Sequence, residues 1–305
     1  MSGSILPEKV TLVEVGPRDG LQNEKNLVPT ESKIAFIQSL KQAGVIEMEL
    51  TSFVSPKWVP QMKDAEEIIH GCLDDQTNYV LVPNKKGVER FYASRADHIA
   101  VFVGVSDSFN QNNINRTTEE SLQEWQPLIQ NLKMDDKFIR ACISTAFYCP
   151  YEGRIDPEAT FQLCRRFADM GVDELSVADT VGMANPKDVY DVFSHLQKEL
   201  GHQLSITGHF HNTRGTALAN IYACLEAGVT RFDTSAGGLG GCPFAPGASG
   251  NVATEDVIFM LHEMGIDTGI NMDSIIEAVN IVKPHITRQL DSKLYDLKQQ
   301  ASAQN

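Results

Sequence analysis

LSITGHFHNTRG (204–215) opens as a β-strand, with apolar and small residues alternating up to a glycine. It closes with two histidines two residues apart, just before a helical pattern begins. Side chains alternate across a strand, so His209 and His211 point to the same side, and two imidazoles converging at a strand end form half of a metal site. An ordinary half-buried strand can carry the same pair without chemistry. What stands upstream and downstream of the pair decides between these readings.

On both sides the same unit recurs. VTLVEV (10–15) precedes a helical pattern at 31–43, VIEMEL (45–50) one at 63–69, NYVLV (78–82) one at 88–94, and HIAVFV (98–103) one at 119–132. FIRACIS (138–144) precedes 158–170, ELSVA (174–178) precedes 187–200, the histidine strand precedes 216–227, and RFDTS (231–235) precedes 254–264. About eight strand–helix units predict a closed (β/α)₈ TIM barrel, an α/β fold, over roughly residues 9–270. Gly44, Gly171 and Gly228 each follow a helical run, where a C-cap wants positive φ. The stretch 271–300 is a helical extension beyond the repeat, and residues 1–305 form a single domain.

The composition is that of an ordinary globular chain, 42% apolar and 22% charged. A net charge of −14 excludes the broad basic surface that nucleic acid or an anionic membrane requires, so any phosphate-bearing ligand must meet a local group of Lys and Arg. No apolar run is long enough to span a bilayer, and the first residues lack a signal or transit pattern. Six dispersed cysteines suggest reduced thiols in the cytoplasm. Cys242 stands apart, in a glycine-rich loop where a thiol has little packing to do.

In such a barrel the active site forms at the C-terminal ends of the strands. Reactive residues collect there: Arg18 and Asp19 after the first strand, Glu49 on the second, Ser144 and Thr145 on the fifth, Asp179 on the sixth, and the histidines on the seventh. The eighth opens into SAGGLGGCPFAPGASGN (235–251), which holds Cys242 and ends at Asn251. Carboxylate, imidazole and amide donors at one mouth suit a divalent cation such as Mg²⁺ or Mn²⁺, and the absence of cysteine pairs argues against structural zinc.

GPRDGLQNE (16–24), TSFVSPKWVPQM (51–62), CPYEG (149–153), DTVG (179–182), HFHNTRGTALAN (209–220) and GGLGGCPFAPGASGNVATED (237–256) together resemble the 3-hydroxy-3-methylglutaryl-CoA lyase family. The resemblance implies that Asp19, His209, His211 and Asn251 hold the cation. It also implies retro-Claisen cleavage of 3-hydroxy-3-methylglutaryl-CoA to acetoacetate and acetyl-CoA by a homodimer. Arg18 is then expected to stabilise the enolate, with a salt bridge to Glu49 as its plainer role, and Glu49 to orient Arg18 or the metal. Asp179 is expected in acid/base work, with helix capping as the alternative, and Cys242 in proton transfer from a loop closing over the site. Lys25 is a candidate for the CoA phosphates. Three residues depart from the family pattern: Asn212 where Asp is common, and Tyr148 and Ala178 where Gly is usual. Asn212 should weaken the electrostatic support of the metal, and Tyr148 could shift the substrate to a related 3-hydroxy-3-alkyl acyl-CoA.

Overall fold

The computed structural model describes residues 6–241 and 250–302. Among these residues ten strands stand in chain order: β1 (Thr11–Glu14), β2 (Glu47–Ser52), β3 (Thr77–Leu81), β4 (His98–Gly104), β5 (Phe138–Ser144), β6 (Tyr148–Cys149), β7 (Gly153–Arg154), β8 (Glu174–Asp179), β9 (Ser205–Phe210) and β10 (Arg231–Thr234). Eight of them, all but β6 and β7, pair in parallel in the order β1-β2-β3-β4-β5-β8-β9-β10, and β10 pairs with β1 to close the barrel. The expected (β/α)₈ barrel is present. Strands β6 and β7 form a small antiparallel hairpin after β5.

Strand alternation builds two separate cores. Ile139, Ala141 and Ile143 on β5, Val101 on β4 and Val80 on β3 face outward into one apolar layer shared with Phe36, Ile37, Leu40, Phe91, Ile129 and Phe167 of the helices. The alternate positions face the barrel axis, where Val13, Val15, Tyr79, Leu81 and Ala100 pack with Phe102, Phe138 and Cys142. Polar residues share that axis: Arg140, Glu174 and Asp233 are almost wholly buried. Interior charge of this kind persists only when paired.

The helices α1 (Thr30–Gln42), α2 (Ala65–Cys72), α3 (Lys85–Ala93), α4 (Asp107–Ile114), α5 (Thr118–Met134), α6 (Pro157–Met170), α7 (Pro186–Leu200), α8 (Ala217–Glu226) and α9 (Thr254–Glu263) surround the barrel. Gly44, Gly171 and Gly228 adopt φ of 102°, 89° and 87°, as their places after helices require. The short α4 had no signal in the sequence reading. The C-terminal stretch is not one helix: α10 (Met272–Val282) ends before Pro284, and α11 begins at Lys293 and runs to Ser302. Proline removes a backbone donor and breaks the helix there. Helix α10 packs on α1 and α9, and the connector 283–292 crosses to the barrel mouth.

Candidate active site

Arg18 and Asp19 sit in a tight turn, Gly16–Gly20, directly after β1. Glu14, wholly buried, shapes it. Its Oε1 accepts from the Gly16 amide (2.7 Å) and the Ala236 amide (2.9 Å), and its Oε2 accepts from Thr254 Oγ1 (2.7 Å). One carboxylate thus ties the Arg18–Asp19 turn to both ends of the segment after β10. Burial pushes the Glu14 carboxyl up to about 7, against those three donors. A Cβ at Gly16 would lie 2.5 Å from Glu14 Oε1, so a side chain there would push that carboxylate away from its donors. Glu14 is not among the site residues expected from the sequence. Its signal was an acid ending an otherwise apolar strand.

Arg18 donates from Nε to Glu49 Oε2 (2.6 Å) and from Nη1 to Asp19 Oδ1 (2.6 Å), so the salt bridge with Glu49 is present and Glu49 orients the guanidinium. Asn251 Nδ2 donates to Asp19 Oδ2 (2.7 Å). Asn251 reaches that point because its segment returns along β9: it lies opposite His211 in an antiparallel bridge, and the Asn212 amide donates to Gly250 O (2.8 Å). Gly240 has φ of 134°, and a Cβ there would come within 2.5 Å of Asn251 Nδ2, so this approach admits no side chain.

His209 and His211 face the same side, as the strand period demands, with ring centroids 5.3 Å apart. One ligand atom each from Asp19, His209 and His211 lies within 4.8 Å of the others. Burial alone would raise the Asp19 carboxyl. Arg18, the two histidines and the Asn251 hydrogen bond outweigh it and hold the group down at about 2. Burial, assisted by neighbouring His209, presses His211 down to about 4, so its ring is neutral near pH 7. His209 moves the other way: burial opposes its protonation, but the hydrogen bond and charge of Asp233 prevail. The group fits a cation on two counts. His211 Nδ1 is buried without a hydrogen-bond partner among the described residues, and a carboxylate with two neutral-capable imidazoles is a donor set that divalent ions accept.

Asp179 is buried at the end of β8, and both its oxygens are engaged by its own turn, accepting from the Met183 amide (3.0 Å) and the Ala184 amide (2.9 Å). Asp179 thus braces its own turn without starting a helix: α7 is capped by Asn185, whose side chain accepts from the Lys187 and Asp188 amides, so the helix-capping alternative is not realised. Burial lifts the Asp179 carboxyl to about 6 despite the Met183 and Ala184 donors. Lys25 is exposed, in the loop that follows the Arg18–Asp19 turn. Cys242 lies outside the described residues.

The departures acquire physical partners. Asn212 Nδ2 donates to Asp291 Oδ2 (3.1 Å), so a carboxylate does stand beside this position, supplied by the connector from α10 to α11. An aspartate at 212 would set two carboxylates against each other. Asn212→Asp is thus expected to lower stability by about 1 kcal/mol, and Tm by a few degrees, with the loss partly masked by added salt. Thermal melts at low and high ionic strength check it, and an unchanged Tm at low salt would mean the pair carries no weight. The Tyr148 ring lies 5.9 Å from the Arg154 guanidinium across the β6–β7 hairpin, and Arg154 in turn pairs with Asp188 of α7 (2.9 Å). Ala178 stands beside His209 in the neighbouring strand register.

Residues 9–282 match the HMGL-like family model. The chain belongs to the HMGL-like family. It is 43% identical over 291 residues to the mitochondrial hydroxymethylglutaryl-CoA lyase of Homo sapiens, covering 95% of this chain and 89% of that one. The crystal structure of the Bacillus subtilis HMG-CoA lyase superposes with a TM-score of 0.92 at 40% identity, over 96% of this chain and 99% of that one. An HMG-CoA lyase from Acinetobacter baumannii, solved in complex with coenzyme A and 3-methylmalate, superposes with a TM-score of 0.89 at 37% identity, over 97% of this chain and 96% of that one. The barrel fold expected from the strand–helix repeat and the carbon–carbon lyase class implied by the six motifs are both borne out. Among the described residues no helix is long and apolar enough to cross a membrane.

Proposed function

We propose that this member of the family cleaves 3-hydroxy-3-methylglutaryl-CoA to acetoacetate and acetyl-CoA, with Mg²⁺ or Mn²⁺ held by Asp19, His209, His211 and Asn251. The observation that carries the reading is the convergence of Asp19 and both histidines at the barrel mouth, beside the buried Arg18. Those residues would hold the cation, and when bound it would supply Lewis-acid polarisation that makes the substrate's tertiary hydroxyl easier to deprotonate.

The chain's own residues carry the rest. Loss of the hydroxyl proton drives cleavage of the C2–C3 bond: acetoacetate leaves, and the bond's electron pair stays on C2 as the enolate of acetyl-CoA. Arg18, anchored by Glu49, presents a fixed positive charge to the developing enolate oxygen, and a preorganised charge in a water-poor site is the most effective form of such stabilisation. Asp179 is assigned acid/base work, supported by its place at the mouth and its carboxyl near 6, which lets it both take and give a proton around neutral pH. Cys242 protonates the enolate at C2. Lys25 meets the CoA phosphates, a role supported by its exposure beside the first loop. A homodimer in the cytoplasm completes the reading; the family resemblance supports the first, and free thiols at Cys72, Cys142, Cys149, Cys164 and Cys224 the second.

The deciding experiment is a cleavage assay, with Mg²⁺ or Mn²⁺ supplied, on a panel of 3-hydroxy-3-alkyl acyl-CoA thioesters, reading acetyl-CoA and the released keto acid. Fastest cleavage of the 3-methylglutaryl substrate is expected. Faster turnover of a different 3-alkyl substituent would move the substrate assignment and implicate Tyr148, and inertness towards the whole panel would end the lyase reading. Cys242→Ser is expected to lower kcat by about 10²-fold with KM little changed, the pattern of a group acting mainly in the transition state. A serine variant running at the wild-type rate would make the thiol incidental.

A further inference from the structure

Two residues of the barrel axis that neither the motifs nor the mechanism use stand directly behind the histidines. Asp233 on β10 is the register partner of His209 on β9. It is buried, and His209 Nδ1 lies 3.0 Å from its Oδ2. The same oxygen accepts from Ser176 Oγ (2.8 Å), and Oδ1 is ion-paired with Arg140, a fully buried arginine from β5. Arg140 is further balanced by Glu174, at 3.7 Å from its Nε. Ser176 and Arg140 each bring Asp233 a hydrogen, and a carboxylate ion-paired with arginine has only acceptors to offer His209 in return.

We propose that Asp233, held ionised by Arg140, is a positioning residue that locks His209 in the Nδ1–H tautomer and so keeps the Nε2 lone pair free for a cation. The 3.0 Å contact can form only if His209 Nδ1 carries the hydrogen, because Asp233 has none to give. The ring can then neither flip nor exchange its proton to the other nitrogen without breaking a buried, charge-assisted bond. Outer carboxylates that fix a ligating imidazole in this manner commonly matter 10- to 100-fold in metal affinity. Arg140 gives the device its direction. An asparagine at 233 would satisfy Arg140 with its carbonyl and turn its NH₂ toward Nδ1, forcing the hydrogen onto Nε2 and blocking that nitrogen. The inference rests on the metal reading of Asp19 and the histidines, but the tautomer itself can be read without metal.

The test is ¹⁵N-edited NMR of the metal-free protein at alkaline pH, where imidazole is neutral, with the His209 signals assigned by their loss in His209→Gln. Wild type should show Nδ1 protonated and Nε2 bare. Asp233→Asn should show the reverse, and its affinity for Mn²⁺ by calorimetry should fall about 10- to 100-fold. A wild-type His209 protonated at Nε2 overturns the proposal, and this measurement needs no variant, so failure of Asp233→Asn to fold does not protect the idea. A tautomer unchanged in Asp233→Asn, or one that reverses while Mn²⁺ affinity stays put, also overturns it. A wild type that keeps the Nδ1–H tautomer yet binds no Mn²⁺ would uphold the lock and remove the metal reading instead.

Discussion

Arg18→Gln is expected to lower kcat for cleavage by about 10²- to 10³-fold, the scale set by removing one preorganised group that meets developing negative charge. Glutamine keeps a hydrogen-bond donor near Glu49 and Asp19 but removes the cation that both carboxylates now share. Glu49 is 1% exposed, so losing its counter-ion also costs stability, and a buried pair broken on one side typically loses a few kcal/mol. The two consequences must be separated. Kinetics well below the variant's melting temperature isolate the catalytic loss, and melts isolate the structural one. If the variant melts earlier yet turns over at the wild-type rate, the guanidinium only neutralises Glu49. Glu49→Gln should show a smaller kinetic loss, since the charge of Arg18 survives while its anchor weakens.

His211→Ala should abolish measurable cleavage, a loss of roughly 10³-fold or more if the cation supplies several kcal/mol of transition-state stabilisation. Without metal the variant should melt close to wild type. Among the described residues the buried Nδ1 of His211 makes no hydrogen bond, so truncation breaks no polar partnership with them. With metal the two should diverge. A ligand at 100 times its Kd stabilises the folded state by about 2.7 kcal/mol, and wild type should gain a Tm increment from Mn²⁺ that the variant lacks. The neutrality of His211 makes the effect hold at physiological pH: with its ring depressed to about 4, protons compete for it only in acid, and metal binding should weaken as pH falls toward that value. A variant that cleaves normally after chelation and metal repletion would remove His211 from the site.

Much of this arrangement was legible in the chain, for a definite reason. Strand alternation in HIAVFV and FIRACIS, helical runs closed by Gly171 and Gly228, and the i, i+2 spacing of His209 and His211 are local patterns, and local backbone geometry enforces them whatever the surroundings. A strand–helix repeat of that count closes on itself, and closure alone sends Arg18, Asp19, Glu49 and both histidines to one mouth.

What only the tertiary structure decided are the pairings of polar groups across the barrel. Arg140 meets Asp233 across 93 positions of sequence, Glu14 meets Thr254 across 240, and Asn212 meets Asp291 across 79. Nothing in the neighbourhood of any of these residues announces its partner, because the partner depends on strand order and on the stagger with which the barrel closes. A buried charge is tolerated only where that closure delivers its complement, so Arg140 reads as an oddity in an apolar strand until Asp233 is seen beside it. The same holds for Asp179, since nothing in DTVG announces that the Met183 and Ala184 amides will point at its carboxylate. Sequence alone determined which side chains reach the mouth, since backbone period and solvation are written residue by residue. The fold decided which of them are held, by whom and in which tautomer, since that is set by distances between segments the chain order does not contain.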